Sequence, residues 1–255
     1  MHLLMLFDAL KIHKVRHERT VQIWFVLLYG LNLIPYLLPF ADRDFSRLQI
    51  ALTEMLQAMA EGTLSTVPSP WTLLSDGNLV LMGLAMLASL ITLFFGLVYA
   101  ALIVAEPNEG TPGEAVRRIL NTLPRLFLLL ILLIVPAFFS AFVLFIPLII
   151  FGLMMYCLPL YLAFSKKSLT DAMRHSYDAT KGHKLMILLQ LVLLMVVIAF
   201  PQNLILSLVG DSSWAHLLIL TFFQVFRALA FGRLMGRMYL LLVKKLPLVV
   251  PSSPK

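Results

Sequence analysis

The sequence predicts an all-α integral membrane protein, with about six transmembrane helices arranged in pairs and short amphipathic helices at the interfaces. Three observations carry that class. The 255 residues are 60% hydrophobic and only 13% charged, with a mean hydropathy of +0.93, too little charge to cover a soluble domain of this size. The apolar residues fall in runs of about 20, the length that crosses the hydrocarbon core as a helix. Lys and Arg are rich in alternate segments between those runs, as the positive-inside rule requires.

The runs justify the elements in order. Residues 21–40 and 79–105 give the first two spans. Residues 126–164 contain no charged side chain. This stretch is about twice a spanning length, so it reads as two helices, 126–144 and 147–164, with a tight turn at Phe145 and Pro147. Residues 185–209 and 215–243 complete the set, the last carrying Arg227, Arg233 and Arg237. Residues 1–245 read as one membrane domain and 246–255 as a flexible tail. Between the first two spans, 45–61 reads as an amphipathic helix with Phe45, Leu48, Leu52, Met55 and Met59 near one face. The run from Thr66 to Pro70 then breaks it, and Trp71 suits an interface. Residues 3–14 are expected to lie flat on the inner membrane surface. The start has no basic leader region and no small-residue cleavage site, so the first span is expected to serve as the insertion signal.

Orientation follows from the bases. Lys11, Lys14, Arg16 and Arg19 precede span one; Arg117, Arg118 and Arg125 follow span two. Lys166, Lys167, Arg174, Lys181 and Lys184 follow span four; Lys244, Lys245 and Lys255 follow span six. The alternate segments hold only Arg43 and Arg47. Six spans put all the rich segments on one side, which makes both termini cytoplasmic. The expected location is a bacterial inner membrane.

Two of the basic loops resemble each other. Thr111-Pro-Gly-Glu114-Ala115-Val-Arg117 and Ser168-Leu-Thr-Asp171-Ala172-Met-Arg174 match at a constant offset of 57 residues. Each places a hydroxyl three residues before an acid, a helix N-cap pattern. Each is expected to begin a short basic helix on the inner leaflet. The match is read as an internal repeat of helix pairs, against the alternative of two chance capping boxes.

The stretch Ala172-Met-Arg174-His-Ser176-Tyr-Asp-Ala-Thr-Lys181-Gly182 resembles an Ala-x-Arg-x-Ser…Lys-Gly pattern. That pattern marks a broad group of bacterial polytopic proteins, which includes the membrane domain fused to some glycerophosphoryl diester phosphodiesterases. The resemblance covers residues 145–194. It implies a six-helix fold and does not imply an enzyme, because in the fused members a separate soluble domain performs the hydrolysis.

The candidate functional residues are mostly basic. Gln224 and Arg227 sit roughly 14 and 18 Å along the last span by helical rise, which places Arg227 in the inner half of the membrane. An unpaired arginine there costs about 2.5–3.5 kcal/mol on insertion scales. No Asp or Glu lies within an apolar run, so the partners expected for Arg227 are water, phosphate headgroups, or Gln190, Asn203 and Asn32. The preferred reading is that Arg227, Arg233 and Arg237 snorkel to the inner headgroups. The others are a cavity that binds an anionic ligand, and a structural pair with Glu114 or Asp178. Gly232 and Gly236 form a GxxxG spacing, assigned to packing within the chain. Arg117, Arg118, Arg174 and Lys181 are expected to meet anionic headgroups. Pro35, Pro39 and Pro201 are read as kinks or helix ends.

The sequence contains no P-loop, no dinucleotide fingerprint, no zinc-helix spacing and no Ser–His–Asp order. His13 and His17 share a helical face but lack a third ligand at a readable spacing. Asp211-Ser-Ser213 with His216 reads as a turn. Cys157 is the only cysteine, which excludes a disulfide framework. The expectation is a non-enzymatic accessory or scaffold subunit that contacts anionic lipids and a possible membrane-protein partner, with no cofactor, no metal and no nucleic acid. Alternatives are a transporter or permease component for a lipid or anionic solute, and an interfacial lipid-modifying enzyme.

Overall fold

A computed structural model describes residues 2–61, 73–141, 143–165, 167–210 and 214–246. Thr66 to Trp71, Lys166, Asp211 to Ser213 and the tail from 247 lie outside the described residues. Ten α-helices occur among the described residues, and no strand. They are α1 His2–Leu10, α2 Glu18–Leu37, α3 Ser46–Glu61, α4 Asp76–Ala105, α5 Pro112–Ala141, α6 Ile146–Met154, α7 Leu158–Phe164, α8 Leu169–Thr180, α9 Lys184–Leu206 and α10 Trp214–Leu242. Six segments are long and apolar enough to cross a membrane: Glu18–Leu37, Asp76–Asn108, Pro112–Ser140, Ile146–Phe164, Lys184–Leu206 and Trp214–Leu242.

The chain forms two compact units, one of residues 1–25 with 93–255 and one of residues 26–92. In the smaller unit, Asn32 Nδ2 donates to Leu28 O at 2.8 Å and to Thr92 Oγ1 at 2.7 Å. These bonds satisfy a buried amide on a helix that has little other polar chemistry to offer. The connection between α2 and α3 folds onto the start of α4. Ser75 Oγ donates to Asp42 Oδ2 at 2.7 Å, and Asn78 Nδ2 donates to Asp42 O and Asp44 O. Asp42 and Asp44 also accept the backbone N–H groups of Asp44 and Ser46. These bonds hold both carboxyls below their ordinary range.

In the larger unit, α10 is the central packing element. Gly232 and Gly236 face α4, and a Cβ at Gly236 would stand 2.8 Å from Ala100 O. At Gly232 it would overlap the carbonyl of Gly96. The GxxxG spacing thus serves a close helix crossing inside the chain.

Several expectations are corrected. Within the segment 3–14, α1 packs one face on α9 and α10, with Met5 and Ala9 fully buried, and leaves Leu4 and Phe7 exposed on the other. The reason is its compact apolar face of Met5, Leu6 and Ala9, with Asp8 beside it.

The first of the two basic loops does not start a separate short helix. Thr111 Oγ1 caps Glu114 N at 3.3 Å, and the helix then runs unbroken from Pro112 to Ala141 through Pro124 and Pro136. The second does start one, capped by Ser168 Oγ on Asp171 N at 3.2 Å. The two loops therefore share their caps and diverge in the helices that follow.

The expected fourth span is two helices, α6 and α7, joined at Met155 to Cys157. Pro159 has no N–H, and Leu158 N bonds back to Met155 O at 2.9 Å. The Met154 carbonyl then loses its intrahelical donor. Ser176 Oγ of α8 supplies a donor instead at 2.9 Å, and Thr180 Oγ1, whose one proton is shared with Ser176 O and Tyr177 O, lies 3.2 Å away. The turn before α6 lies where the uncharged stretch requires it, with Leu144 and Phe145 both at positive φ.

Candidate functional site: the arginines of α10 and the basic end

The three arginines of α10 differ in partner. Arg233 is fully buried. Its Nη2 meets Asp8 Oδ1 at 2.9 Å and its Nε meets Asp8 Oδ2 at 3.2 Å, a bidentate fork. Its Nη1 donates to Lys14 O at 2.9 Å and to the Tyr99 hydroxyl at 3.1 Å. Tyr99 in turn donates to Ile12 O at 2.6 Å. Arg237 Nε reaches Asp8 Oδ2 at 2.9 Å. Burial pushes the Asp8 carboxyl upward, but the hydrogen bonds and charges of Arg233 and Arg237 outweigh it and hold Asp8 below its ordinary value. Snorkelling is therefore corrected for these two residues, as is the pairing with Glu114 or Asp178. The carboxylate comes from α1, which the sequence reading had placed on the membrane surface.

Arg227 differs. Its Nη2 donates to Gln202 Oε1 at 2.5 Å, a neutral partner. Its Nε is buried and has no hydrogen-bond partner. Gln202 lies four residues from the end of α9, the end away from the basic loop before Lys184. The guanidinium thus sits toward the far half of α9 and not toward the basic end, because helical side chains lean toward their own N-terminus. Gln224, one turn earlier, is exposed.

Contacts within the larger unit gather several basic segments at one end. Arg16 N donates to Glu106 Oε1 at 2.7 Å and its Nη1 to Glu109 Oε1 at 3.0 Å, tying the N-terminal segment to the turn after α4. Arg125 Nη1 donates to Lys167 O at 3.1 Å, tying α5 to the turn before α8. The Arg118 guanidinium lies over the Phe164 ring, 5.0 Å from its centre, a cation–π arrangement. Asn108, Gly110, Glu114, Arg118, Phe164 and Lys244 line an open pocket of about 250 Å³. The pocket adjoins the start of α5, where Thr111 Oγ1 and O already accept the N–H groups of Glu114 and Ala115. Arg117, Arg118, Arg174 and Lys181 are all exposed. Lys184 Nζ lies 5.2 Å from the Tyr177 ring centre, and His175 stacks on Tyr161.

The sequence reading missed Asp8 and Gln202. Asp8 had a signal, the single acid within an apolar N-terminal stretch. Gln202 follows Pro201, which the sequence reads as a kink or helix end, yet α9 continues through Pro201 to Leu206. No protein-family model, no curated protein and no solved structure matches the chain.

Proposed function

We propose that the chain is a multi-pass protein of a bacterial inner membrane, with both termini on the cytoplasmic side. On this reading it is a non-enzymatic accessory or scaffold subunit that holds anionic lipid headgroups at its basic end. The observation that carries this reading is the gathering of the N-terminal segment, the turn after α4, the turn before α8 and the end of α10 by direct contacts. Exposed Arg117, Arg118, Arg174 and Lys181 lie on α5 and in and after α8, beside these turns. Clustered cations at a membrane surface attract anionic lipid at about 1 kcal/mol per residue.

Native mass spectrometry of the protein released from phosphatidylglycerol–phosphatidylcholine bilayers tests it. The wild type retains phosphatidylglycerol in preference to phosphatidylcholine. A variant with Arg117, Arg118, Arg174 and Lys181 all changed to Gln loses that preference at unchanged melting temperature. An unchanged preference would remove these residues from the reading.

A further inference from the structure

Four of the segments long enough to cross a membrane end or begin around the pocket beside α5. Asn108 closes Asp76–Asn108, and Glu114 lies in the first turn of Pro112–Ser140. Phe164 closes Ile146–Phe164, and Lys244 lies just beyond Trp214–Leu242. All four line the pocket together with Arg118. The Phe164 and Tyr239 rings pack with centres 6.3 Å apart, which brings the end of α10 to this place. The pocket therefore sits where the apolar helices give way to loops, the depth of headgroups in a bilayer. Its volume of about 250 Å³ lies below the ~300–1,000 Å³ of drug-sized sites, so the ligand that fits is small. The charges that line it are of both signs. Arg118 and Lys244 are cations, and Glu114 is an anion one turn before Arg118 on α5. Among the described residues, ion pairs join Arg16 to Glu109 and Asp8 to Arg233 and Arg237, and none joins Glu114 to Arg118 or Lys244. The Phe164 ring holds the Arg118 guanidinium instead, 5.0 Å from the ring centre. A guanidinium over a ring face keeps its N–H edge for an oxyanion. A carboxylate and two cations thus line one small space without pairing, and that space matches a ligand with both charges a few bonds apart.

We propose that this pocket binds a phosphate ester of ethanolamine, whose phosphate and primary ammonium carry the two charges. The phosphate oxygens accept hydrogen bonds from Arg118 and Lys244. The ammonium donates to the Glu114 carboxylate. A choline group has no N–H to donate there. A glycerol group offers only neutral hydroxyls, whose bonds to a carboxylate are weaker than those of an ammonium. The same chemistry is presented by a phosphatidylethanolamine headgroup and by free phosphoethanolamine. The site rests on the lipid-binding reading of the basic end, which it extends to one defined headgroup.

The test is native mass spectrometry of the full chain released from bilayers of phosphatidylethanolamine, phosphatidylglycerol and phosphatidylcholine in equal parts. The wild type retains phosphatidylethanolamine about fivefold over phosphatidylcholine, the difference that one charge-assisted hydrogen bond makes at an open site. Glu114→Gln removes that preference and raises the retention of phosphatidylglycerol, because the two cations then face no carboxylate. The Thr111 cap uses the Glu114 backbone N–H and survives the change. Lys244→Gln, beyond the end of α10, weakens retention of phosphatidylethanolamine at unchanged melting temperature, and decides alone should Glu114→Gln fail to fold. Free phosphoethanolamine that displaces the lipid, with the same dependence on Glu114, supports the site with a soluble ligand; lipid that it does not displace supports the site with a headgroup. Equal retention of phosphatidylethanolamine and phosphatidylcholine by the wild type, or an undiminished preference in Glu114→Gln or in a folded Lys244→Gln, overturns the proposal. With phosphatidylglycerol still preferred over phosphatidylcholine, those outcomes remove this site and leave the lipid-binding face. Loss of both preferences in the wild type removes both.

Discussion

Asp8 and Arg233 stand 225 residues apart in the chain and meet at 2.9 Å, with Arg233 fully buried. One carboxylate on a nine-residue helix faces two guanidiniums one turn apart on α10. The pair ties α1 to α10, and the backbone after α1 completes the site through Lys14 O.

Removing the carboxylate should cost more than removing an exposed ion pair. Asp8→Asn leaves Arg233 buried with no counter-charge, and the expected loss is about 3 kcal/mol. A double-mutant cycle with Arg233→Gln should show strong coupling in thermal unfolding. Additive effects would show that the two residues do not act together.

The same pair predicts an acid-induced release of α1. The folded-state carboxyl of Asp8 lies below its ordinary 3.8. Its contribution to stability is therefore fully present above that value and is lost as pH falls through the lower, folded value. Hydrogen exchange of the α1 amides should accelerate over that acidic window. Asp8→Asn should show fast exchange at neutral pH and no added acid step.

Gly232 packs against the Gly96 carbonyl with no room for a methyl group. Gly232→Ala must push α4 from α10, at an expected cost of about 1–3 kcal/mol. Gly152, where a Cβ meets nothing within 4 Å, is the matched control. Gly152→Ala should leave the melting temperature near wild type, and equal loss from both would contradict the tight crossing.

The Met154 carbonyl lies within hydrogen-bond distance of two hydroxyls, those of Ser176 and Thr180. Ser176→Ala alone should cost under about 1 kcal/mol, because Thr180 can turn its proton to the acceptor. The double change Ser176→Ala with Thr180→Val leaves a buried carbonyl unpaired and should cost about 1–3 kcal/mol. A double loss equal to the sum of the singles would show that the donors do not substitute for each other.

The resemblance at residues 172–182 takes on a local meaning here. Its serine, Ser176, serves the helix break just before Pro159, and its alanine, Ala172, is fully buried. Such a use could not be read from the motif, since it depends on a carbonyl 22 residues away.

The long apolar runs, the turn at Phe145, the caps at Thr111 and Ser168 and the alternation of basic segments were legible in the sequence alone. Each rests on residues within a few positions of one another, where hydropathy, proline and capping chemistry act directly. The tertiary structure alone decided that α1 packs inward and that Asp8 compensates Arg233 and Arg237. It also decided that Arg227 meets Gln202 toward the far half of α9. Those outcomes depend on which helix faces are brought together across most of the chain. An ion pair in an apolar surrounding is stable only when both partners and their hydrogen bonds arrive in one place, and no local pattern specifies that.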